Sequence, residues 1–230
     1  MFLRTAGSIF VPSGDNAAGT LEFCGDDLLS IHVASPADAQ ALAEQLRASG
    51  AWREVVPGID SVVVQFDAAA VTINIASQRV ADELAQGIVA TKRSDVLFEI
   101  PVVYGGDFGP DLEEVCEQTG LTAKELIALH TAHEYSVDLV GFTPGFVYVG
   151  GLEDVLHVPR RKQPRQHVEA GSVGIADGRT GLYALPGPGG WPLIGRTTFK
   201  LFDPHAEEPF PVRAGMRIRF VSVSAAEAGL

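Results

Sequence analysis

A chain of 230 residues, 46% of them hydrophobic, is long enough to bury one large core or two smaller ones without disulfide or metal staples. Its formal charge of -12 and pI near 4.8 set it against nucleic acid and anionic membrane surfaces, so neither is expected as a partner. Cys24 and Cys116, far apart and each in an apolar segment, fit a reducing compartment and read as inert core residues. No run approaches the roughly 18 apolar residues of a membrane span.

Met1–Pro12 lacks both a continuous hydrophobic stretch and a small-residue cleavage site, and reads as mature cytoplasmic protein. Ser35-Pro36, followed by Ala39, Leu42, Ala43 and Leu46, combines an N-cap, a first-turn proline and helical spacing, so a helix is predicted to end before Gly50. Val62, Val63, Val64 and Phe66 form a strand-like run, and Val80, Leu84 and Ile88 return at helical spacing. Residues 1–95 therefore read as a small α+β domain, with a boundary near Lys92-Arg93-Ser94-Asp95.

Residues 96–230 read as a second, mainly β domain. Val96 to Val103 is strand-like, and Tyr104 to Pro110 is glycine-rich. Leu112, Val115 and Cys116 mark one short helix, and Thr122 with Glu125 forms the capping box of another, stapled by Leu121 and Leu126. Six or seven short strands fit between Tyr135 and Val223, and frequent Gly and Pro turns point to a closed barrel or a sandwich.

Standard nucleotide signatures, G-x-x-x-x-G-K-[ST] and a strand-linked G-x-G-x-x-G, do not occur. Gly105 to Pro110 leads into a helix whose N–H groups could hold an anion, but Asp107 and Asp111 oppose this, and a tight turn with a capped helix is the plainer reading. Ala170-Gly171-Ser172-Val173-Gly174 imitates a nucleophile elbow in a β-rich setting that lacks the strand-to-helix turn. His130, His133 and Glu134 stand at i, i+3 and i+4, where they could share a helix face. Without a further ligand group nearby, proton transfer or substrate hydrogen bonding by His130 or Glu134 is preferred to metal binding.

Arg160, Arg161, Lys162 and Arg165 make a basic cluster in an acidic chain, suited either to a carboxylate or phosphate or to a solvated loop. Gly141 to Gly151 and Pro188 to Thr197 are dense in glycine and aromatic residues, as barrel corners or as the walls of a cleft for a planar ligand.

At these residues the chain resembles the B-subunit family of 5-oxoprolinase, also called allophanate hydrolase subunit 1, which includes the sporulation-kinase inhibitor KipI. The runs that carry the resemblance are Tyr104-Gly105-Gly106, Phe108 to Leu112, His130-Thr131-Ala132, Gly141-Phe142, Pro144-Gly145-Phe146, Gly150-Gly151-Leu152, Val158 to Arg161, Pro164-Arg165, Ala170 to Ile175, Thr180-Gly181, Gly189-Gly190-Trp191 and Ile194 to Thr197. They cover about residues 96 to 221, and the N-terminal part agrees in pattern alone. Two positions depart: His133 stands where proline is expected, and Arg179 where glutamine is expected.

The resemblance implies an α+β N-terminal domain followed by a cyclophilin-like β-barrel without prolyl isomerase activity. It implies a protein that is inactive alone, partnered by a C-type barrel protein (allophanate hydrolase subunit 2-like) that shares the cleft, and by an A-type protein of the LamB/YcsF-like kind. The implied reaction is ATP-dependent opening of 5-oxo-L-proline to L-glutamate, with Mg2+ accompanying ATP and no tightly bound cofactor. Other expectations are a role in hydrolysing allophanate or another urea-like amide, and a non-catalytic histidine-kinase inhibitor. The expected catalytic residues are His130 and Glu134. Substrate or nucleotide binding is expected of Phe142, Pro144, Phe146, Tyr148, Arg160, Arg161, Arg165, Arg179, Trp191 and Arg196, and no metal ligand is expected.

Overall fold

The computed structural model describes residues 8–10, 20–89 and 96–230. The chain divides into two compact units, Met1–Lys92 and Arg93–Leu230. The boundary run Lys92 to Asp95 and most of Met1–Pro12 lie outside the described residues.

In the first unit, β1 (Ser8–Phe10), β2 (Thr20–Cys24), β3 (Leu28–His32), β4 (Glu54–Pro57) and β5 (Ser61–Gln65) form an antiparallel sheet in the order β1-β2-β3-β5-β4. Helices α1 (Pro36–Ala48) and α2 (Ile73–Ala85) supply the other layer. Ser35 caps α1 by accepting from the Asp38 amide, so the helix begins where the Ser-Pro pair directs it. Leu42, Leu46 and Val80 meet Leu29, Ile31, Val62, Val64 and Phe66 in one core. Ile88, predicted as part of the second helix, lies past its end and packs partly buried against that core. Cys24 closes β2 at a turn and is exposed, which corrects its reading as a core residue; Cys116 is half-buried.

The second unit opens with β6 (Leu97–Tyr104), α3 (Leu112–Thr119) and α4 (Ala123–Thr131). The Thr122–Glu125 capping box starts α4 as its sequence requires. Eight strands follow, more than predicted: β7 (Tyr135–Val140), β8 (Val147–Gly150), β9 (Arg165–Val168), β10 (Ser172–Ala176), β11 (Arg179–Leu182), β12 (Gly187–Gly189), β13 (Leu193–Arg196) and β14 (Arg217–Ser222). A four-residue helix, α5 (Ala225–Ala228), comes after β14.

Seven strands close a barrel in the order β10-β11-β8-β7-β14-β6-β13, while β9 and β12 pair separately as a ribbon. Closure leaves no exposed edge within the barrel. Strand β14 runs parallel to β6, whereas the other barrel pairs are antiparallel. Ile100, Val102, Leu126, Val137, Val149, Ile175, Ile194 and Phe220 fill the core. Among the described residues, no helix is long and apolar enough to cross a membrane.

Candidate functional site

The basic loop and the aromatic segments, far apart in sequence, are stitched together by backbone. Arg165 begins β9 and stands opposite Gly189 of β12, and the Arg161 amide donates to the Gly190 carbonyl at 2.7 Å. These two links bring residues 160–165 against Trp191. The Arg160 guanidinium then lies 5.7 Å from the Trp191 ring centroid and donates from Nε to Asp177 at 2.9 Å.

Trp191 belongs to an aromatic cluster with Phe146, Tyr148 and Tyr183. Phe146 is buried, 4.7 Å from Tyr148, 4.9 Å from Tyr183 and 6.0 Å from Trp191. Gly181 makes room for it, because a Cβ there would meet Phe146 Cζ at 2.8 Å and Trp191 Cε3 at 2.9 Å. Burial raises the Tyr183 phenol, opposed by a hydrogen bond from the Trp191 backbone, and burial also raises Tyr148, opposed by the Arg160 charge. Phe142 holds a positive φ of 74°, unusual for a bulky residue, and presents a 71% exposed ring edge-on to Phe146. Pro144, also exposed, completes that turn.

Arg160 also lines a cavity of about 460 Å³, bounded by residues 159–163, Glu114, Gln118 and Pro192. Behind the loop, Arg161 Nη1 and Arg165 Nη2 each donate to Asp111 Oδ1 at 2.7 Å, and the Leu193 amide donates to Asp111 Oδ2 at 2.7 Å. Arg161 Nη1 also lies 3.4 Å from Glu114. Expected to oppose an anion, Asp111 is instead buried and faces two arginines. Sequence reasoning missed this arrangement because the partners stand 50 and 54 positions away.

In the Gly105–Pro110 turn, the Gly105 amide donates to the Ile194 carbonyl, while the Phe108 and Gly109 amides both donate to the Gly105 carbonyl. A Cβ at Gly109 would run into the Ile194 carbonyl, so the glycine serves close backbone approach. The tight turn is present, but the expected side-chain cap is not, because Asp111 makes no capping bond to α3.

The two expected catalytic residues stand elsewhere. His130 is fully buried in the barrel, bonded through Nδ1 to the Tyr104 hydroxyl at 2.7 Å and through Nε2 to Thr180 Oγ1 at 2.9 Å, and stacked on Phe220 at 4.3 Å. Burial lowers its pKa to about 3, so the imidazole is neutral. Both nitrogens are engaged inside the core, which corrects the picture of His130 facing a substrate. Glu134 accepts from Arg217 and Arg219 at 2.6 Å each, and His133 pairs with Glu153 at 3.0 Å. Because α4 ends at Thr131, helical spacing does not extend to His133 and Glu134, and the three side chains do not share a face.

Arg179 pairs with Asp138 at 3.1 Å, and burial raises the Asp138 carboxyl against the lowering effect of that arginine. Arg196 stands over Phe108, 5.8 Å from the ring centroid. Ser172 opens β10 in a strand rather than at a strand-to-helix turn, and it is buried. Of the expected binding residues, then, Phe142, Phe146, Tyr148, Arg160 and Trp191 form one connected group, and Arg161 and Arg165 adjoin it.

The family model for the carboxyltransferase domain, subdomain C and D, matches residues 19–212. A protein from Escherichia coli O157:H7, named as the B subunit of 5-oxoprolinase, is 54% identical over 123 residues, covering 54% of this chain and 56% of the relative. A protein of the same name from Haemophilus influenzae is 39% identical over 184 residues, covering 79% of this chain and 84% of the relative. With 58% of a Bacillus subtilis relative matched, the chain spans little more than half the length of the first two curated relatives. The urea amidolyase of K. lactis shares the fold with a TM-score of 0.78 at 15% identity, over 97% of this chain and 16% of that one. By sequence match along most of its length, the chain belongs to the B-subunit family of 5-oxoprolinase.

Proposed function

We propose that the chain is the B subunit of an ATP-dependent 5-oxoprolinase complex, inactive alone, which works in the cytoplasm and opens 5-oxo-L-proline to L-glutamate. The closed barrel is read as cyclophilin-like, and a C-type barrel protein (allophanate hydrolase subunit 2-like) completes its cleft. An A-type protein of the LamB/YcsF-like kind joins them for hydrolysis. The observation that carries this reading is the arginine loop laid on Trp191, in a chain whose relatives bear the name of the 5-oxoprolinase B subunit.

The chemistry is consistent with that site. A lactam resists hydrolysis because resonance stabilises its amide. Moving the γ-phosphoryl group of ATP onto the lactam oxygen releases ADP and makes the carbon a better electrophile. Water then adds to that carbon and the C–N bond breaks to leave an acyl phosphate. A second water hydrolyses it, so that phosphate departs with the oxygen it was given and the two waters supply the carboxylate oxygens of glutamate. Arg160, Arg161 and Lys162 around the cavity fit phosphate oxygens or the substrate carboxylate. Mg2+ would enter on the nucleotide's own phosphates. The aromatic group of Phe142, Phe146, Tyr148 and Trp191 offers an apolar wall beside these charges.

The test is 5-oxo-L-proline-dependent ADP release by this chain alone, with its C-type partner, and with both partners. Turnover appearing on assembly, with glutamate as product, is expected. A verified three-component complex that releases no ADP with 5-oxo-L-proline overturns the substrate assignment.

A further inference from the structure

We infer that Asp111 is the positioning residue of an oxyanion site whose donors are Arg161 and Arg165. The inference rests on the functional reading above for the site's place in catalysis, though its binding test does not.

Asp111 occupies the N-cap position of α3 but makes no side-chain capping bond. An aspartate there ordinarily satisfies an amide of the first turn, a contact worth roughly 1 kcal/mol. The side chain instead turns toward Arg161, Arg165 and the Leu193 amide, each at 2.7 Å, with 5% of its surface exposed. A local preference is thus given up for a long-range arrangement, which is the pattern expected where function sets the geometry.

That arrangement has more donors than acceptors. Each guanidinium carries five N–H bonds, and both arginines share a single Asp111 oxygen. Glu114 adds one contact at 3.4 Å from a side chain that is 56% exposed. Arg161 Nε and Arg165 Nη1 are buried and have no hydrogen-bond partner among the described residues. Buried donors are rarely left so in native proteins. Arg161 also lines the cavity, which brings an incoming ligand to one of the two arginines, and the shared Asp111 oxygen holds Arg165 beside it. The chemistry calls for one more acceptor-rich anion, a phosphate or a carboxylate, bridging the arginines.

Asp111 acts through the arginines. By taking one N–H from each on the same oxygen, it holds two like charges together against their repulsion and ties them to β13 through Leu193. This makes an opposite-sign prediction. If charge alone governed affinity, Asp111→Asn, which removes a negative charge, would tighten anion binding. If positioning governs, the arginines splay and binding weakens.

The experiment is calorimetric titration of the full chain with inorganic phosphate, and separately with acetate, at low ionic strength. The wild type is expected to bind phosphate, acetate or both; binding of phosphate alone identifies a phosphoryl ligand, and comparable binding of acetate identifies a carboxylate. Asp111→Asn, shown folded by near-UV circular dichroism, is expected to bind at least about tenfold more weakly, a loss of one charge-assisted contact. Should that variant not fold, Arg165→Lys keeps the charge but loses the fork, and the same weakening is expected. Equal or tighter binding by the folded variant, or no binding of either anion by wild type, overturns the inference. In the assembled enzyme, Asp111→Asn is expected to raise KM for the anion's parent substrate more than it lowers kcat. A complex without 5-oxoprolinase turnover but with phosphate binding weakened by Asp111→Asn would remove the functional reading and leave this one standing.

Discussion

Two buried polar clusters in the second unit solve the same problem in opposite ways. Around His130, each ring nitrogen has a partner, Tyr104 on one side and Thr180 on the other, and the ring faces are covered by Phe220 and Tyr135. Around Asp111, both carboxylate oxygens accept hydrogen bonds, but two buried arginine N–H groups are left over. A saturated network leaves nothing to offer a ligand and serves the fold; a network with surplus donors is built to receive one. Histidine chemistry therefore draws attention to His130, while the hydrogen-bond inventory draws it to the arginines.

The largest expected effect breaks the second cluster outright. Asp111→Ala leaves two guanidiniums facing each other and the Leu193 amide unpaired, and is expected to destabilise the protein by about 3–5 kcal/mol. Urea denaturation measures this. A loss below about 1 kcal/mol would mean that water replaces the carboxylate freely and that the cluster is not tightly held.

A somewhat smaller effect tests the first cluster. The His130 pKa is lowered from 6.5 to about 3 in the folded chain by burial. The unfolded chain therefore binds the extra proton first, and stability conferred by the neutral ring is present above pH 6.5 and lost as pH falls toward 3. Between pH 7.5 and pH 5 the loss is about 2 kcal/mol. Asp138, raised by burial, pulls in the opposite direction at lower pH, so the informative quantity is the difference between wild type and His130→Phe. The variant is expected to be less stable at neutral pH and to lack this slope. An identical slope in both proteins would show that His130 is accessible to protons in the folded state.

Local chemistry made much of this legible. Ser35 and the Thr122–Glu125 pair cap the helices that their sequence announces, and Val62 to Phe66 and Val96 to Val103 fall in or beside strands. The basic and aromatic runs also proved to be neighbours, at Arg160 and Trp191. What local pattern does not encode is which long-range pairing forms. The β9–β12 ribbon that sets Arg165 opposite Gly189, and the carboxylate of Asp111 reached from 50 residues away, depend on barrel closure. His130 misled for a related reason: its interior fate is decided by Tyr104 and Thr180, which come from β6 and β11. Cys24 misled more simply, since its apolar neighbours continue only to the strand end, where the turn exposes it.

The smallest effects on stability sharpen the comparison most, because they separate function from fold. Arg160 is 61% exposed at its side chain and Glu134 33%, so neither supports the core. Arg160→Ala loses a contact with Asp177 and one with the Trp191 ring and should cost no more than about 1 kcal/mol. Glu134→Gln weakens two pairs, with Arg217 and Arg219, at a similar cost of at most about 1 kcal/mol. Their activities should diverge. In the assembled complex Arg160→Ala is expected to reduce 5-oxo-L-proline-dependent ADP release at least about tenfold, as loss of a charge contact to an anionic substrate would. Glu134→Gln is expected to leave it unchanged, since both oxygens of its carboxylate are already held by arginines, Arg217 and Arg219. If instead Glu134→Gln abolishes turnover at unchanged stability and Arg160→Ala does not, the working surface lies at the Arg217–Arg219 side of the barrel and the arginine loop is a solvated connection.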